Sequence, residues 1–313
     1  ATVVEGLVKT LDSIPQIDVI KQRILNTGVV NTYIHGDSFV IVVCFMLFVS
    51  FACWLLSVIM RNYSQVDRIW SIVPFVYCWH FLIHSYLNTN QWNDRLLCMT
   101  ILSTMWGLRL SYNFYRKGGY NPKDEDYRWP ELRKIINNQF LFQIFNITFI
   151  ALYQNILLLL ITLPAYYAYL CVDIPWTLYD TIGTVSFLIF LMIESIADQQ
   201  QWNYQTKKYS LINAGKPLLG VYKVGFIHTG LFRYSRHPNF FAEMSMWWCF
   251  YLFSWCHTPY LNQTIVGTIL LTLLFQGSTS FTEGITKRKY PLYGKYQETT
   301  SRFIFLPSTF NGD

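Results

Sequence analysis

Residues 39–60, FVIVVCFMLFVSFACWLLSVIM, run for 22 residues without a charge. No other feature restricts the fold as strongly. In hydrocarbon a backbone must satisfy its own N–H and C=O groups, which a helix does. About 20 apolar residues carry a helix across about 30 Å of bilayer core. Similar windows lie at 69–87, 96–115, 140–164, 176–196, 238–256 and 262–282. Composition agrees: 52% of the 313 residues are hydrophobic, 18% aromatic and only 13% charged, too apolar for an ordinary soluble domain. The expected fold is an all-α polytopic membrane protein with about seven transmembrane helices. The stretch 140–171 is long enough to tilt, to kink at Pro164, or to extend past the bilayer.

Charge placement follows the same plan. With seven spans, the segments 61–68, 116–138, 197–237 and 283–313 share one side and hold 19 of the 24 Lys and Arg. Such asymmetry orients membrane proteins, so the basic loops and the C-terminus are expected to face the cytosol or its equivalent. The net charge of +6 then reports topology, and nucleic acid is not an expected partner. All seven cysteines lie in or beside apolar segments without a Cys-x-x-Cys pair, and read as small buried hydrophobes. His80 and His84 share a helix face but lack a ligand-spaced third group, so they read as a core or interface pair and no metal site is expected. Dinucleotide Gly fingerprints, phosphate-binding loops and nucleophile elbows are absent.

Residues 39–313 therefore read as one membrane domain. Residues 1–38 read as an N-terminal extension: Val3, Val4, Leu7, Val8 and Leu11 recur at helical spacing, an amphipathic pattern suited to a membrane surface or a protein partner, and Pro15 ends it. It lacks the long apolar core of a secretory signal.

Dense polar clusters all fall on the basic side. They are Asp67 and Arg68, the stretch RKGGYNPKDEDYRWPELRK, ESIADQQQWNYQTKK, RYSRHPNFFAE and KRKYPLYGKYQ. Ionisable residues entering helix ends in a membrane protein point to a functional site. Glu194 and Asp198 are four apart, as are Asn239 and Glu243, so each pair shares a helix face. They offer acceptors for ribose or amide hydrogens. Pro238 suits a helix's first turn, whose free N–H groups favour an anion beside Arg233, Arg236 and His237. A phosphate-bearing, sugar-containing cofactor would use both sets. Equally, the arginines could anchor the helix at lipid headgroups while Glu243 pairs with one of them.

The stretch TGLFRYSRHPNFFAE, with ESIADQQ before it and YPLYGKYQETTSRFIFLP after it, resembles the C-terminal half of the steroid 5-alpha-reductase-like superfamily. DRIW at 67–70, WGLRL at 106–110 and EDYRW at 125–129 resemble its membrane branch, the domain of unknown function 1295. The likeness covers roughly residues 60 to 307 and omits the N-terminal extension. It implies a membrane reductase whose C-terminal helices enclose NADPH. By position, Glu194 with Asp198 and Asn239 with Glu243 match two cofactor-contacting pairs, and Tyr293 matches a C-terminal contact. Arg236 and His237 belong to the same helix start, and Arg109 and Arg116 are weaker matches toward cofactor phosphates. Position 194 departs from the steroid reductases, which tend to have Asn there.

The implied chemistry is hydride addition to an activated alkene while an acid polarises the carbonyl, commonly a Tyr and a protonated carboxylic acid. Asp67, Tyr112 and Tyr115 are candidates by placement alone. The substrate would be lipid-like, a sterol, polyprenol or fatty enone entering from the membrane. Two rivals stand beside the reductase. One is a membrane methyltransferase using S-adenosylmethionine, whose members share the Arg-His-Pro helix start. The other is a non-catalytic reductase-like subunit of a larger assembly, for example in the mitochondrial inner membrane, held through residues 1–38. The endoplasmic reticulum and the mitochondrial inner membrane fit equally well.

Overall fold

The computed structural model describes residues 28–258 and 260–312. The expected amphipathic helix over Val3 to Leu11 lies outside the described residues. Every regular element among them is helical: α1 (Ser38–Met60), α2 (Gln65–Ile69), α3 (Val73–Thr89), α4 (Asp94–Arg116), α5 (Arg128–Ile136), α6 (Gln139–Phe145), α7 (Gln154–Leu170), α8 (Leu178–Asn213), α9 (Pro238–Leu252), α10 (Ile265–Lys289) and α11 (Tyr293–Thr299). A π-helical segment, Asn146–Tyr153, joins α6 to α7.

Among the described residues, four helical stretches are long and apolar enough to cross a membrane: Ser38–Met60, Gln139–Leu170, Leu178–Asn213 and Ile265–Lys289. The chain is an all-α polytopic membrane protein. The other three expected spans are helical too, and length or polarity separates them from these four. Helices α3 and α9 have 17 and 15 residues, while α4 has 23 but carries Arg109 within it and charges at both ends.

Local signals set the boundaries. The side chains of Asp37, Asn93 and Asn138 accept from Val40, Leu96 and Leu141 N–H groups and start α1, α4 and α6. Arg61, Asn90 and Asn137 take left-handed conformations that stop α1, α3 and α5. The expected span at 69–87 starts later than its apolar pattern, because α2 ends at Ile69 and Pro74 sits in the first turn of α3.

The chain forms two compact units. Unit 1 comprises residues up to Thr181 together with Tyr251–Gly267. Within it, α3 packs on α4 and α7, and α1 packs on the π segment and α7. Pro164 lies inside α7 without ending it. It cannot donate to the Leu160 carbonyl, and Gly267 comes so close there that a Cβ on it would stand 2.3 Å from the Leu160 oxygen. A glycine on the neighbouring helix thus closes over the carbonyl that the proline leaves bare. His80 and His84 are structural, as their spacing implies. His80 bonds Tyr33 and Ser38, and His84 bonds Tyr169 and the Gly36 carbonyl. Arg95 and Asp180 form a buried ion pair at 2.7 Å.

Unit 2 comprises Ile182–Phe250 and the chain from Thr268 onward. The loop expected over 197–237 is instead helical as far as Asn213. The reason is compositional: QQQWNYQTKKYS holds good helix formers and no Gly or Pro. The stop comes at Gly215, φ 64°, where the Lys216 and Gly215 amides bond the Leu211 and Ile212 carbonyls. The 36 residues of α8 extend about 54 Å at 1.5 Å per residue, well beyond one bilayer core.

Candidate functional site

Unit 2 holds most of the residues that the sequence singles out, and it divides them by partner into two sets. The first lies on α8 and α9. Glu194 and Asp198, one turn apart, are 4% and 5% exposed, and Glu243 is 4% exposed. Asn239 Nδ2 donates to Asp198 Oδ1 at 3.4 Å, so the two four-spaced pairs belong to facing helices. Glu243 Oε1 accepts from Trp247 Nε1 at 3.1 Å, within its own helix. The turn before α9 is docked beside this set. Leu231 N–H donates to Gln200 Oε1 at 2.9 Å. Gly230 is required there, since its φ is +64° and a Cβ would stand 2.5 Å from Gln200 Oε1.

The second set centres on a residue that the sequence reading passes over, Glu283 of α10. It is 2% exposed. Arg236 Nε and Nη2 donate to its two oxygens at 2.6 and 3.2 Å. His237 Nε2 lies 2.9 Å and the Tyr293 hydroxyl 3.3 Å from Oε1, and Gln297 Nε2 lies 3.0 Å from Oε2. Arg236 Nη1 donates to the carbonyls of Gln297 and Thr300. Backbone amides of Arg236 and His237 bond the Ser301 and Arg302 carbonyls. The start of α9 is thereby tied to the chain that follows α11. Phe310 closes that tail into a core with Phe226, Tyr293 and Tyr296.

The electrostatics follow from this burial. Burial lowers the His237 imidazole from its usual range, with Glu283 pulling the other way. A neutral ring donating Nε2–H to Glu283 fits both facts. Burial also raises the Tyr293 phenol, and the neighbouring Glu283 charge adds to the rise. Arg236 has its guanidinium turned inward on Glu283 and two carbonyls. The charge that a helix start with Arg and His offers an anion is largely balanced here by one carboxylate.

Unit 1 holds the other expected residues. Asp67 accepts from Arg128 Nη2 at 3.1 Å and from Trp129 Nε1 at 2.8 Å, joining DRIW to EDYRW. Burial raises its carboxyl above the usual range, and the Arg128 charge offsets that only in part. Neighbouring bonds strengthen the same junction: Asn62 Nδ2 donates to the Pro122 and Asp124 carbonyls, and Tyr63 N–H to Glu125. Tyr112 and Tyr115 are 63% and 70% exposed on α4, and neither bonds Asp67. Arg116 Nε donates to Asn113 Oδ1 at 2.9 Å. Arg109 is partly buried on the same helix.

Comparison with known proteins places these features in a family. The family model described as protein of unknown function (DUF1295) matches residues 53–300. An uncharacterized protein of the fission yeast Schizosaccharomyces pombe is 38% identical over 301 residues, covering 90% of this chain and 85% of the relative. No solved structure matches. The family match takes in Asp67 with its Arg128 and Trp129 partners, the α8 and α9 pairs, and Glu283 with its ligands up to Thr300. The chain belongs to the DUF1295 family.

Proposed function

We propose that the protein is a membrane-embedded, NADPH-dependent reductase of a double bond in a lipid-like molecule such as a sterol, polyprenol or fatty enone. The observation that carries the reading is the Asn239–Asp198 bond, which joins the half-buried Asn239 of α9 to one of the buried carboxylates of α8, with Glu194 and Glu243 one turn away on the same helices. Carboxylates and an amide in that grouping suit the hydroxyls and amide of a nicotinamide nucleotide. The resemblance to the steroid 5-alpha-reductase-like superfamily supplies the cofactor and the reaction class. Glu194, Asp198, Asn239 and Glu243 would hold the sugar and amide groups. Arg236, His237 and Tyr293 would shape the adjoining wall through Glu283. NADPH, when bound, supplies the hydride.

A second reading is a non-catalytic subunit on the same fold, and a specific observation favours it. Asp67 accepts hydrogen bonds from Arg128 and Trp129, which serve a carboxylate and not a proton donor. Tyr112 and Tyr115 stand exposed. No hydrogen bond joins Asp67 to either tyrosine among the described residues.

Equilibrium binding of NADPH, NADH and S-adenosylmethionine to the purified protein in detergent tests the reading. Saturable NADPH binding that Glu243→Gln weakens by about 1.5–3 kcal/mol, the worth of a hydrogen bond to a charged group, supports it. Saturable S-adenosylmethionine binding with no response to NADPH replaces the reductase by the methyltransferase. Binding of none of the three leaves the subunit reading, to be followed by a search for co-purifying chains.

A further inference from the structure

Two cysteines meet at one end of unit 1, at a place that neither the family nor the reductase reading assigns. Cys171 is the first residue beyond α7, and Cys256 ends a 3₁₀ turn, Phe253–Cys256, that packs on α7. Ring contacts bracket the two residues. Tyr167 meets His257 with centroids 5.0 Å apart, Tyr179 meets Trp255 at 4.8 Å, and Trp176 meets Phe253 at 6.4 Å. Cys171 follows Tyr167 and precedes Trp176 on one segment, while Cys256 sits between Trp255 and His257 on the other. The two thiols are within hydrogen-bonding reach of each other. Both are free cysteines.

The backbone around each sulfur is held by other bonds. Cys171 N–H donates to the Ala168 carbonyl at 3.1 Å, which also accepts from Asn93 Nδ2 at 2.8 Å. The Cys171 carbonyl accepts from Ile174 N–H at 3.2 Å, and Arg95 donates to the Ile174 and Pro175 carbonyls at 3.2 and 2.7 Å. On the facing segment, Asn262 Nδ2 donates to Ser254 Oγ at 2.9 Å and to the Thr258 carbonyl at 3.0 Å, which braces the turn that carries Cys256. No group of three metal-ligating side chains occurs among the described residues, so the pair stands as two thiols. Thiols brought together exchange with disulfides. Cys171 is 4% exposed and Cys256 is half-buried, so a reagent reaches Cys256 first. By the charge asymmetry, these segments lie on the side away from the basic loops, where a membrane of the secretory pathway presents an oxidising lumen.

We propose that Cys171 and Cys256 are joined as a disulfide by exchange with a low-molecular-weight disulfide of the glutathione type. The Cys256 thiol, losing its proton, attacks one sulfur of oxidised glutathione and releases one glutathione. Cys171, losing its proton in turn, attacks the Cys256 sulfur of the mixed disulfide and releases the second. The two cysteines give up two protons and two electrons, and the glutathione disulfide takes them. Burial raises both thiols above their usual range, so exchange is slow and the finished bond is a staple, not a rapid sensor. The chain leaves unit 1 at Thr181 and returns at Tyr251. The bond therefore closes a long loop, the case in which a crosslink restricts the unfolded chain most.

The test is made on the full chain in detergent, equilibrated with oxidised glutathione or, separately, with reduced glutathione. Samples are quenched in acid, alkylated in denaturant with N-ethylmaleimide, digested and read by mass spectrometry. In oxidised glutathione a peptide linking Cys171 to Cys256 is expected, and both residues lose their alkylation. The oxidised form should melt about 5–10 °C above the reduced form. Cys171→Ser should retain a glutathione adduct on Cys256, since the thiol that resolves it is gone, whereas Cys256→Ser should leave Cys171 alkylated. If either variant fails to fold, the linked peptide of the wild type decides alone. Alkylation of both residues in oxidised glutathione, or a bond from either one to a different cysteine, overturns the proposal.

Discussion

Replacing Glu283 by Gln isolates what the second cluster of unit 2 does. The carboxylate is 2% exposed and takes hydrogen bonds from Arg236, His237, Tyr293 and Gln297. Arg236 is itself 8% exposed. Glu283→Gln keeps the shape and one acceptor but strands a buried guanidinium. Breaking a buried pair by removing one partner costs about 3–5 kcal/mol, and the remaining amide oxygen places the expected loss near the lower end. At about 2–4 °C per kcal/mol for a large domain, the melting temperature should fall by roughly 6–12 °C. The tail should loosen as well, because Arg236 also holds the Gln297 and Thr300 carbonyls.

Differential scanning fluorimetry on the tryptophans, with limited proteolysis followed from a C-terminal epitope, measures both effects. The double variant Arg236→Met with Glu283→Met supplies the sharper comparison. Removing both charges leaves no buried guanidinium stranded, and Arg302, which lies 3.8 Å from Glu283, is exposed enough to be solvated, so the double variant should be more stable than Glu283→Gln alone, as apolar replacements of buried pairs often are. If Glu283→Gln melts within 2 °C of the wild type, an interval roughly within assay scatter, and its tail resists protease equally, the clamp is not what holds this region. If the double variant is less stable than the single one, the Gln297 and Thr300 carbonyls that Arg236 holds outweigh the stranded charge.

Three further outcomes are expected. His237 has a lowered imidazole pKa in the folded chain, so the unfolded state binds more protons as pH falls through about 6.5. Stability should therefore drop between pH 7.5 and 5, and the slope should flatten in His237→Gln when melting is followed against pH. Gly267→Val should destabilise unit 1 strongly, by about 3 kcal/mol or more, because its Cβ would meet the Leu160 backbone at 2.3 Å. A wild-type melting curve would show that α7 and α10 are less closely packed at this point. Cysteines placed at Tyr127 and Gly215 should react with an impermeant maleimide from one side of the membrane, and a cysteine at Asn90 from the other. Labelling of all three from one side would contradict the orientation that the basic loops imply.

Much of the fold is legible because it rests on local patterns. The run 39–60 is α1 to within a residue of its start, since nothing polar interrupts it and Asp37 caps it. The four-residue spacings place Glu194 with Asp198, and Asn239 with Glu243, on shared helix faces, whereas the Asn239–Asp198 contact between the two helices is not legible from spacing. The length of α8 was hidden because hydropathy ends near Ile196 while helix propensity continues to Asn213. Hydropathy reports the solvent and propensity reports the backbone, and the two separate wherever a helix leaves the bilayer. The π segment gives no local signal in the sequence, since its eight residues have the same apolar composition as the helix that follows.

Glu283 was missed for a different physical reason, and that reason bears on function. Its ion-pair partners Arg236 and His237 lie 46–47 residues away, so no periodicity connects them. A sequence shows an arginine and a histidine at a helix start and leaves their charge unaccounted for, which invites an anion into the gap. The folded chain supplies that anion itself. On the proposed reductase reading, a nucleotide phosphate at the start of α9 would compete with Glu283 for Arg236, and its affinity would depend on the geometry of that carboxylate.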